Sequence, residues 1–539
     1  MTDLEIPLVK NRKGHYRFFE MLPALLSYSM LALPVVLSVI NVTAAAIFVI
    51  IYLLVYITRG IATSIRVLDG YRNLRAQLKL NWTQLVAELQ VGEVADAQAK
   101  RPKWHYNNLM RLSKKHRIIM PDEVLHVVII AVYKESREVL EPTIRAVLNS
   151  EYDMKKVILI IAHEGRAGEI PEKLVHELIA EYKDSFYDAM VFKHPANIPN
   201  ELIGKGGNIT YAARQFEKYM IAHDIAPVRA LVTTLDADNR PDKNYLNALT
   251  YIYCSCEDPM RASFQPTAIY NNNIWDAPAP ARVMAAGNSF FHITNSLRFH
   301  NLRNFSAHAQ SMESLMRTNY WSVRTVVEDG HQFWRSYFCF DGNYRVYPVY
   351  VPIYQDAVLN ESYIKTLKAQ FIQLRRWTYG ASDIAYVIHI GFFRKNKIPK
   401  HDLVAKTFRL IEGHVTWAVA PILSLCAGFL PAFVHPQSFA ANELPLIASR
   451  VQSAAIIGAF AMVFICLKTL PPRPARYKRH RSVLMVLQWG YLPFTTFVYN
   501  SFAALNSQTR LLFGRYLDKF DVTEKAVVSI QNGQRVTKK

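Results

Sequence analysis

The run Leu231-Val232-Thr233-Thr234-Leu235-Asp236-Ala237-Asp238 carries an apolar stretch into two carboxylates one residue apart. On an extended segment, side chains two apart point the same way. Two carboxylates so placed can hold a hard cation, which in turn neutralises phosphate oxygens. Acidic loop caps give the same pattern without a ligand. A second acidic pair stands in Val327-Glu328-Asp329-Gly330-His331. One carboxylate there suits a general base that takes the proton from an attacking hydroxyl. A helix N-terminus, where acidic residues are electrostatically favoured, accounts for the pair as well. The third group is Gln373-Leu374-Arg375-Arg376-Trp377. Arginine grips a diphosphate bidentately, and tryptophan offers a flat face to a sugar ring. A basic helix face with one anchoring Trp is the plainer alternative.

These residues need a scaffold, and the middle of the chain reads as one. Leu125-His126-Val127-Val128-Ile129-Ile130-Ala131-Val132 is a short β-branched run, expected to be a buried strand. Helical spacing follows over residues 138–150, a strand over 157–162 and a helix over 171–183. A weak strand over 190–192, a helix over 205–221 and a strand over 228–235 complete the alternation. Alternating strands and helices predict an α/β domain with a mainly parallel sheet. Ligands of such sheets sit at the carboxyl ends of the strands, where Asp236 and Asp238 fall.

The ends of the chain are different. Residues 21–58 contain no charge, too long for one membrane span of about 20 residues and right for two. Lys10, Arg12, Lys13 and Arg17 precede the run and Arg59 and Arg66 follow it, which places both ends in the cytoplasm. A cleaved signal peptide has a far shorter apolar stretch. Residues 415–434 and 444–467 read as a second hairpin, the latter with Arg450 near its outer end. The loop after it carries Arg473, Arg476, Lys478, Arg479 and Arg481. Residues 482–509 are again uncharged but interrupted by Gly490 and Pro493, and are expected to be re-entrant. That keeps the basic tail (Arg510, Arg515, Lys519, Lys525) in the cytoplasm. The expected divisions are a hairpin at 1–66, a helical connector at 67–120, a cytoplasmic domain at 121–391, an interfacial amphipathic helix at 392–413, a transmembrane region at 414–509 and a tail at 510–539.

In this order and beside apolar spans, the three motifs resemble the family 2 glycosyltransferases. The likeness is to their membrane-integrated branch, with cellulose synthase-like and hyaluronan synthase-like members. That branch shows an Asp-x-Asp, a Glu-Asp preceded by Thr, and Gln-x-x-Arg-Trp. The counterparts are Asp236 and Asp238, Glu328 and Asp329, and Gln373, Arg376 and Trp377, with Val327 where the family has Thr. The resemblance runs from about residue 127 to the tail. It implies that Asp236 and Asp238 bind Mg or Mn and the nucleotide diphosphate. Asp329, beside Glu328, would be the base, and Gln373, Arg376 and Trp377 would line the phosphate and acceptor site.

Ala131-Val132-Tyr133-Lys134-Glu135 looks like the family's first strand end, with Lys134 in place of Asn and Glu135 toward the nucleotide. Gly204-Lys205-Gly206-Gly207-Asn208 is similar to its Gly-Lys segment before a helix. A helix N-terminus suits phosphate, although the two glycines also fit a simple turn. After the second strand the family has Asp-Asp or Asp-Gly, where this chain has Ala162-His163-Glu164-Gly165 and Glu164 takes the acidic place. Residues 287–292 and 304–321 fall where the family builds part of its acceptor site, or pack under a Phe-rich loop.

The implied architecture is a Rossmann-like nucleotide-diphospho-sugar transferase domain of the GT-A type plus an α-helical transmembrane bundle. The implied reaction is metal-dependent transfer with inversion from a nucleotide-sugar, expected to be a UDP-sugar, to a saccharide in polysaccharide synthesis. The expected place is the plasma (inner) membrane, multi-pass, with the catalytic domain cytoplasmic and an oligomer or partner subunit completing any pore. Rival readings are a non-processive transferase to a lipid-linked acceptor and a non-catalytic transporter or receptor. The 539 residues carry a net charge of +20, but much of the basic excess adjoins apolar runs, which argues against nucleic-acid binding. Five cysteines without zinc spacing support neither a disulfide framework nor a zinc site. His292, His300, His308 and His331 are expected to be structural.

Overall fold

Short β-branched runs near the middle of the chain pair into one sheet. The computed structural model describes residues 4–95, 98, 100–114, 117–518, 527–531 and 534–538. Its main sheet contains β1 (Leu125–Val132), β2 (Val157–Glu164), β3 (Asp188–His194), β4 (Ala230–Asp236), β5 (Arg240–Pro241), β6 (Ala262–Tyr270), β7 (Ala309–Ser311) and β8 (Arg345–Gln355). Their spatial order is β3-β2-β1-β4-β7-β6-β8-β5. β1 pairs in parallel with β2 and β4, β2 with β3, and β6 with β8. The short β7 is antiparallel to both β4 and β6, and β5 to β8. The sheet is therefore mixed, yet the six long strands all run one way. Their carboxyl ends share one edge.

Alternation between two covered faces explains why β1 and β2 are apolar apart from His126, His163 and Glu164. Val128, Ile130, Leu159 and Ile161 enter one core with Leu140 and Ile144. Val127, Ile129, Ile158 and Ile160 enter the opposite core with Phe216 and Trp321. Both faces are covered by helices, so neither face of these strands can be polar. The connector contributes Trp82 and Leu89 to the first core, and its Glu88 pairs with Arg101 at 2.7 Å and His105 at 3.0 Å.

Outside the sheet, helices His15–Ile40 and Val42–Gln77 meet at Asn41, whose side chain accepts from Ala44 N at 3.1 Å and starts the second helix. Among the described residues three helices are long and apolar enough to cross a membrane: His15–Ile40, Val42–Gln77 and Lys400–Val434. Val35, Val36, Ile47, Ile51 and Leu54 on the first two face outward. The fourth expected span falls in helix Phe439–Thr469, where the side chains of 454–457 and 459 lie outside the described residues.

Residues 392–413 do not form one amphipathic helix. Helix Asp383–Phe393 ends there, and helix Lys400–Cys426 runs unbroken past 413 into the apolar stretch. Pro399 occupies the N-cap of the second helix, and its restriction of the preceding residue separates the two. Residues 482–509 are expected to be re-entrant, but the chain stays helical from His480 to Leu512 and only its pitch is interrupted: helix His480–Leu487, a 3-10 turn Gln488–Tyr491, helix Leu492–Thr495, a π-helical turn Thr496–Ser501 and helix Phe502–Leu512, with helical φ and ψ at each junction. At its start Arg481 donates to Trp275 O at 3.1 Å; at its end Arg17 donates to Leu511 O at 2.6 Å and Leu512 O at 2.7 Å. Arg17 lies close to His15, whose ring meets His389 of helix Asp383–Phe393 at 2.8 Å. Both ends of this helical segment thus lie toward the α/β domain. In the tail, Lys519 and Lys525 lie outside the described residues, and Val527–Gln531 pairs antiparallel with Gln534–Lys538. Each of the five cysteines is a free thiol.

Candidate active site

Because the long strands share one edge, their carboxyl ends converge. Tyr133 and Glu135 follow β1, Glu164 ends β2, Asp236 ends β4, Tyr270 ends β6, and Asp356 follows β8. These residues line an open cleft of about 1130 Å³. Two helix N-termini, at Lys205 and Glu328, and the last turns of helix Tyr363–Thr378 close its other side. All ten residues singled out from the sequence line this cleft: Glu135, Glu164, Lys205, Asp236, Asp238, Glu328, Asp329, Gln373, Arg376 and Trp377.

Asp236 Oδ1 accepts from Lys205 Nζ at 2.7 Å, and its Oδ2 from Ser306 Oγ at 2.6 Å. The buried Asp238 is held differently. Its Oδ2 accepts from Asp356 N at 3.1 Å, and its carbonyl accepts from Asn272 Nδ2 at 3.1 Å. Burial alone would depress the Lys205 ammonium, but Asp236, Glu328 and Asp329 outweigh it and raise its pKa. Lys205 is therefore a fixed positive charge in the cleft.

The second acidic pair begins helix Glu328–Cys339. Burial, then the Asp329 charge, push Glu328 up to about 7, against the pull of Lys205 and Arg376. Burial also raises Asp329, opposed by Lys205, the Gly330 amide and Arg376. Glu328 Oε2 is buried, and among the described residues nothing donates to it. A carboxyl titrating near 7 beside a second one that burial raises suits this end of the cleft to proton transfer at physiological pH.

Close packing fixes this pair. A Cβ at Gly206 would collide with the Ser322 carbonyl oxygen and stand 3.1 Å from Glu328 Cβ. Gly206 is thus required by the approach of its helix to the segment leading into Glu328. The same segment is pinned by the N-terminus: Glu5 accepts from Ser322 Oγ and from Arg335 at 3.0 Å, and Arg324 donates to Ile6 O at 3.1 Å.

Beyond the second strand, Glu164 Oε2 accepts from Arg166 Nε at 3.0 Å and faces His194 Nδ1 at 3.3 Å. His194 Nε2 reaches Glu201 at 3.0 Å. Burial would lower the imidazole, yet the two carboxylates lift it to about 9. Burial would raise Glu164, but His194 and Arg166 outweigh it and lower its pKa. Arg166 lies over the Tyr133 ring at 4.6 Å, making a flat cationic platform at this end of the cleft.

At the opposite end, Trp377 approaches Tyr270 at 6.3 Å between ring centroids. Its helix is held from the C-terminal helical segment. Ser507 Oγ donates to Arg375 O at 2.6 Å and meets Thr378 Oγ1 at 3.0 Å.

The carboxylates of Asp236 and Asp238 form an oxygen-only set suited to a hard cation. Among the described residues no group of three or more metal-ligating side chains occurs. Sequence reasoning missed Tyr270, Ser306, Asp356 and Arg166. Asp356 carried a usable signal, since it follows an apolar run as Asp236 does. Ser306 and Tyr270 carry none, because they reach the cleft through folding alone.

No family model matches the sequence, and no curated protein does. Among solved structures the chain is similar to the mannosyltransferase PcManGT from Pyrobaculum calidifontis in complex with GDP-Man and Mn2+, at 14% identity and a TM-score of 0.41, over 85% of this chain and 100% of that one. It is similar to S. aureus TarS 1-349 in complex with UDP-GlcNAc at 10% identity and a TM-score of 0.37, over 76% and 96%. It is similar to GalNAc-T7 with UDP, GalNAc and Mn2+ at 12% identity and a TM-score of 0.31, over 54% and 57%.

Proposed function

We propose that the protein is a membrane-anchored, metal-dependent glycosyltransferase that moves a sugar with inversion from a nucleotide-sugar to a saccharide acceptor. The observation that carries this reading is the convergence of Asp236, Asp238, Glu328, Asp329, Lys205 and Arg376 on one cleft at the carboxyl edge of the sheet. Lys205 and Arg376 neutralise the diphosphate as it departs. Asp236 and Asp238 would hold a Mg or Mn ion together with diphosphate oxygens; when bound, it supplies further charge neutralisation at the leaving group. Asp329 takes the proton of the acceptor hydroxyl as that oxygen bonds to the anomeric carbon and the bond to the diphosphate breaks. Glu328, raised by burial and by the Asp329 charge, completes the acidic pair beside the base. Tyr133 and Arg166 offer a stacking platform for the nucleotide base, and Trp377 one for the sugar chain.

Three helices long and apolar enough to cross a membrane support a reading in which the domain lies against a bilayer, and the distribution of basic residues supports its cytoplasmic side. The helical segment after His480 is read as lying along the domain, since both its ends bond to residues on that side. Extension of a polysaccharide is the preferred outcome, and product length separates it from a single transfer to a lipid-linked acceptor. The test is nucleotide release by purified protein over a panel of UDP-, GDP- and dTDP-sugars, with and without Mg or Mn. Metal-dependent release from one donor, abolished in D238A, is expected. Silence across the panel with saccharide and lipid acceptors supplied would favour a non-catalytic protein.

A further inference from the structure

A second charged cluster lies away from the cleft, where the apolar helices meet the α/β domain. Gly70 of helix Val42–Gln77 is packed so tightly on helix Ala279–Ser296 that a Cβ there would stand 2.6 Å from the Ile293 side chain. That contact brings Arg66, one turn earlier on its helix, toward Arg298, just past the end of the other. Arg59 precedes Arg66 by two turns, on the same face. Arg59 is the first charge after the uncharged residues 21–58, and it pairs with Glu412. Glu412 and Arg409 are the last charges before the apolar stretch 415–434. Arg409 donates to Asn301 Oδ1 at 2.9 Å, which closes the group onto the loop after Arg298. Four guanidinium groups and one carboxylate thus meet at the depth where two apolar helices lose their apolar character.

The imbalance is felt locally. Partial burial, then Arg66, Arg409 and Arg59, hold Arg298 below the usual arginine range, and Glu412 offsets this only in part. Beside the arginines stand aromatic side chains facing outward: Phe299 is 64% exposed and Phe408 66%. A large apolar surface next to unneutralised positive charge fits a ligand with an anionic head and an apolar tail. From this cluster the chain continues through residues 299–305 to Ser306, which bonds to Asp236.

We propose that Arg59, Arg66, Arg298 and Arg409 form a binding site for the phosphate headgroup of an anionic membrane lipid, with Phe299 and Phe408 against its acyl chains. The proposal takes the membrane placement given above as its premise. The test uses the full-length protein in nanodiscs of phosphatidylcholine alone, or with added phosphatidylglycerol or a polyprenyl phosphate. Retained lipid is read by native mass spectrometry. Wild-type protein is expected to retain the anionic lipid in preference to phosphatidylcholine. Each basic residue contributes about fivefold to headgroup affinity, so R298Q/R409Q should bind about 25-fold more weakly and R66Q about fivefold. K478Q/R479Q, in the other basic segment beside the bundle, should match wild type. Preference for polyprenyl phosphate would mark a lipid-linked substrate, and preference for phosphatidylglycerol a resident lipid; either upholds the site. Wild-type retention by both R298Q/R409Q and R66Q overturns it, as does an equal loss in K478Q/R479Q. Equal thermal protection of detergent-solubilised protein by inorganic phosphate overturns the lipid assignment. Wild-type protein that enters no nanodisc overturns the membrane placement and this site with it.

Discussion

Gly206 offers a direct probe of how the catalytic pair is positioned. It is the second residue of helix Lys205–Ala222, and a methyl group there meets the Ser322 carbonyl oxygen and approaches Glu328 Cβ. The obstacle is main chain, so no rotamer relieves it. Either the helix start or the segment entering Glu328 and Asp329 must yield by on the order of 1 Å. Overpacking of this kind costs about 1–3 kcal/mol. The helix preference of alanine over glycine offsets at most about 0.5–1 kcal/mol. The net loss, about 1–2 kcal/mol, lowers the melting temperature by a few degrees and leaves the protein folded. The catalytic cost is larger, because a displacement of about 1 Å between reacting groups costs on the order of 100-fold in rate. In nucleotide release with saturating donor, G206A should lose about that factor in kcat while binding donor within a few-fold of wild type. Gly60, inside helix Val42–Gln77, is the control, since nothing lies within 4 Å of the Cβ it would gain. G60A should keep wild-type kcat and gain up to about 1 kcal/mol of stability. Full turnover by a folded G206A protein would refute the claim that this close approach positions Glu328 and Asp329.

The Glu328 carboxyl, titrating near 7 beside the base, predicts that kcat changes as pH passes through about 7. E328Q removes that titrating group and should flatten the profile around pH 7, and an unmoved profile would count against its titration there. The raised Glu328 and Asp329 carboxyls also bear on stability. Their folded pKa values lie above the unfolded ones, so the native state binds more protons. Stability of the ligand-free protein should therefore fall as pH rises from the ordinary carboxyl range toward about 7, and a melting series at stepped pH, flatter for E328Q, checks the sign. K205M removes a buried charge bonded to Asp236 and facing the proposed diphosphate, and should weaken donor binding on the order of 100-fold in calorimetric titration. S507A removes the Ser507 bond to the Arg375 carbonyl, which keeps Thr378 Oγ1 and the Tyr379 amide, costing up to about 1 kcal/mol and raising the donor KM by loosening the helix that carries Gln373 and Arg376.

Much of the site was legible because its residues end local elements. Asp236 and Glu164 each close an apolar run, and the sheet's common strand direction brings such ends together whatever the intervening sequence. The second half of the sheet was harder to read. β6 contains Pro266 and β8 contains Pro348 and Pro352, which withhold ladder donors and blur the strand pattern, and the register shifts between Pro266 and Thr267. β7 is three residues long and gives no periodicity. The amphipathic stretch before residue 414 suggested a separate interfacial helix because its composition changes there. Backbone geometry follows Pro399, not the change in side-chain polarity, so one helix spans both compositions.

The reason for Gly206 was hidden for a related cause. In sequence, the two glycines after Lys205 fit a phosphate cradle or a turn. What demands Gly206 is Ser322, more than a hundred residues away, which the N-terminal Glu5 also binds. At the other end of the cleft, Ser507 fixes the main chain between Gln373 and Trp377. Segments on either side of the α/β domain, one before the first apolar helix and one within the C-terminal helical stretch, thus hold the two groups that flank the cleft's carboxylates. The acidic pair and the arginine helix are set from outside the sheet, whereas Asp236 and Glu164 are set by it. Movement of the helical bundle against the domain would accordingly change the distance between base and diphosphate-binding groups while leaving the strand-end carboxylates in place.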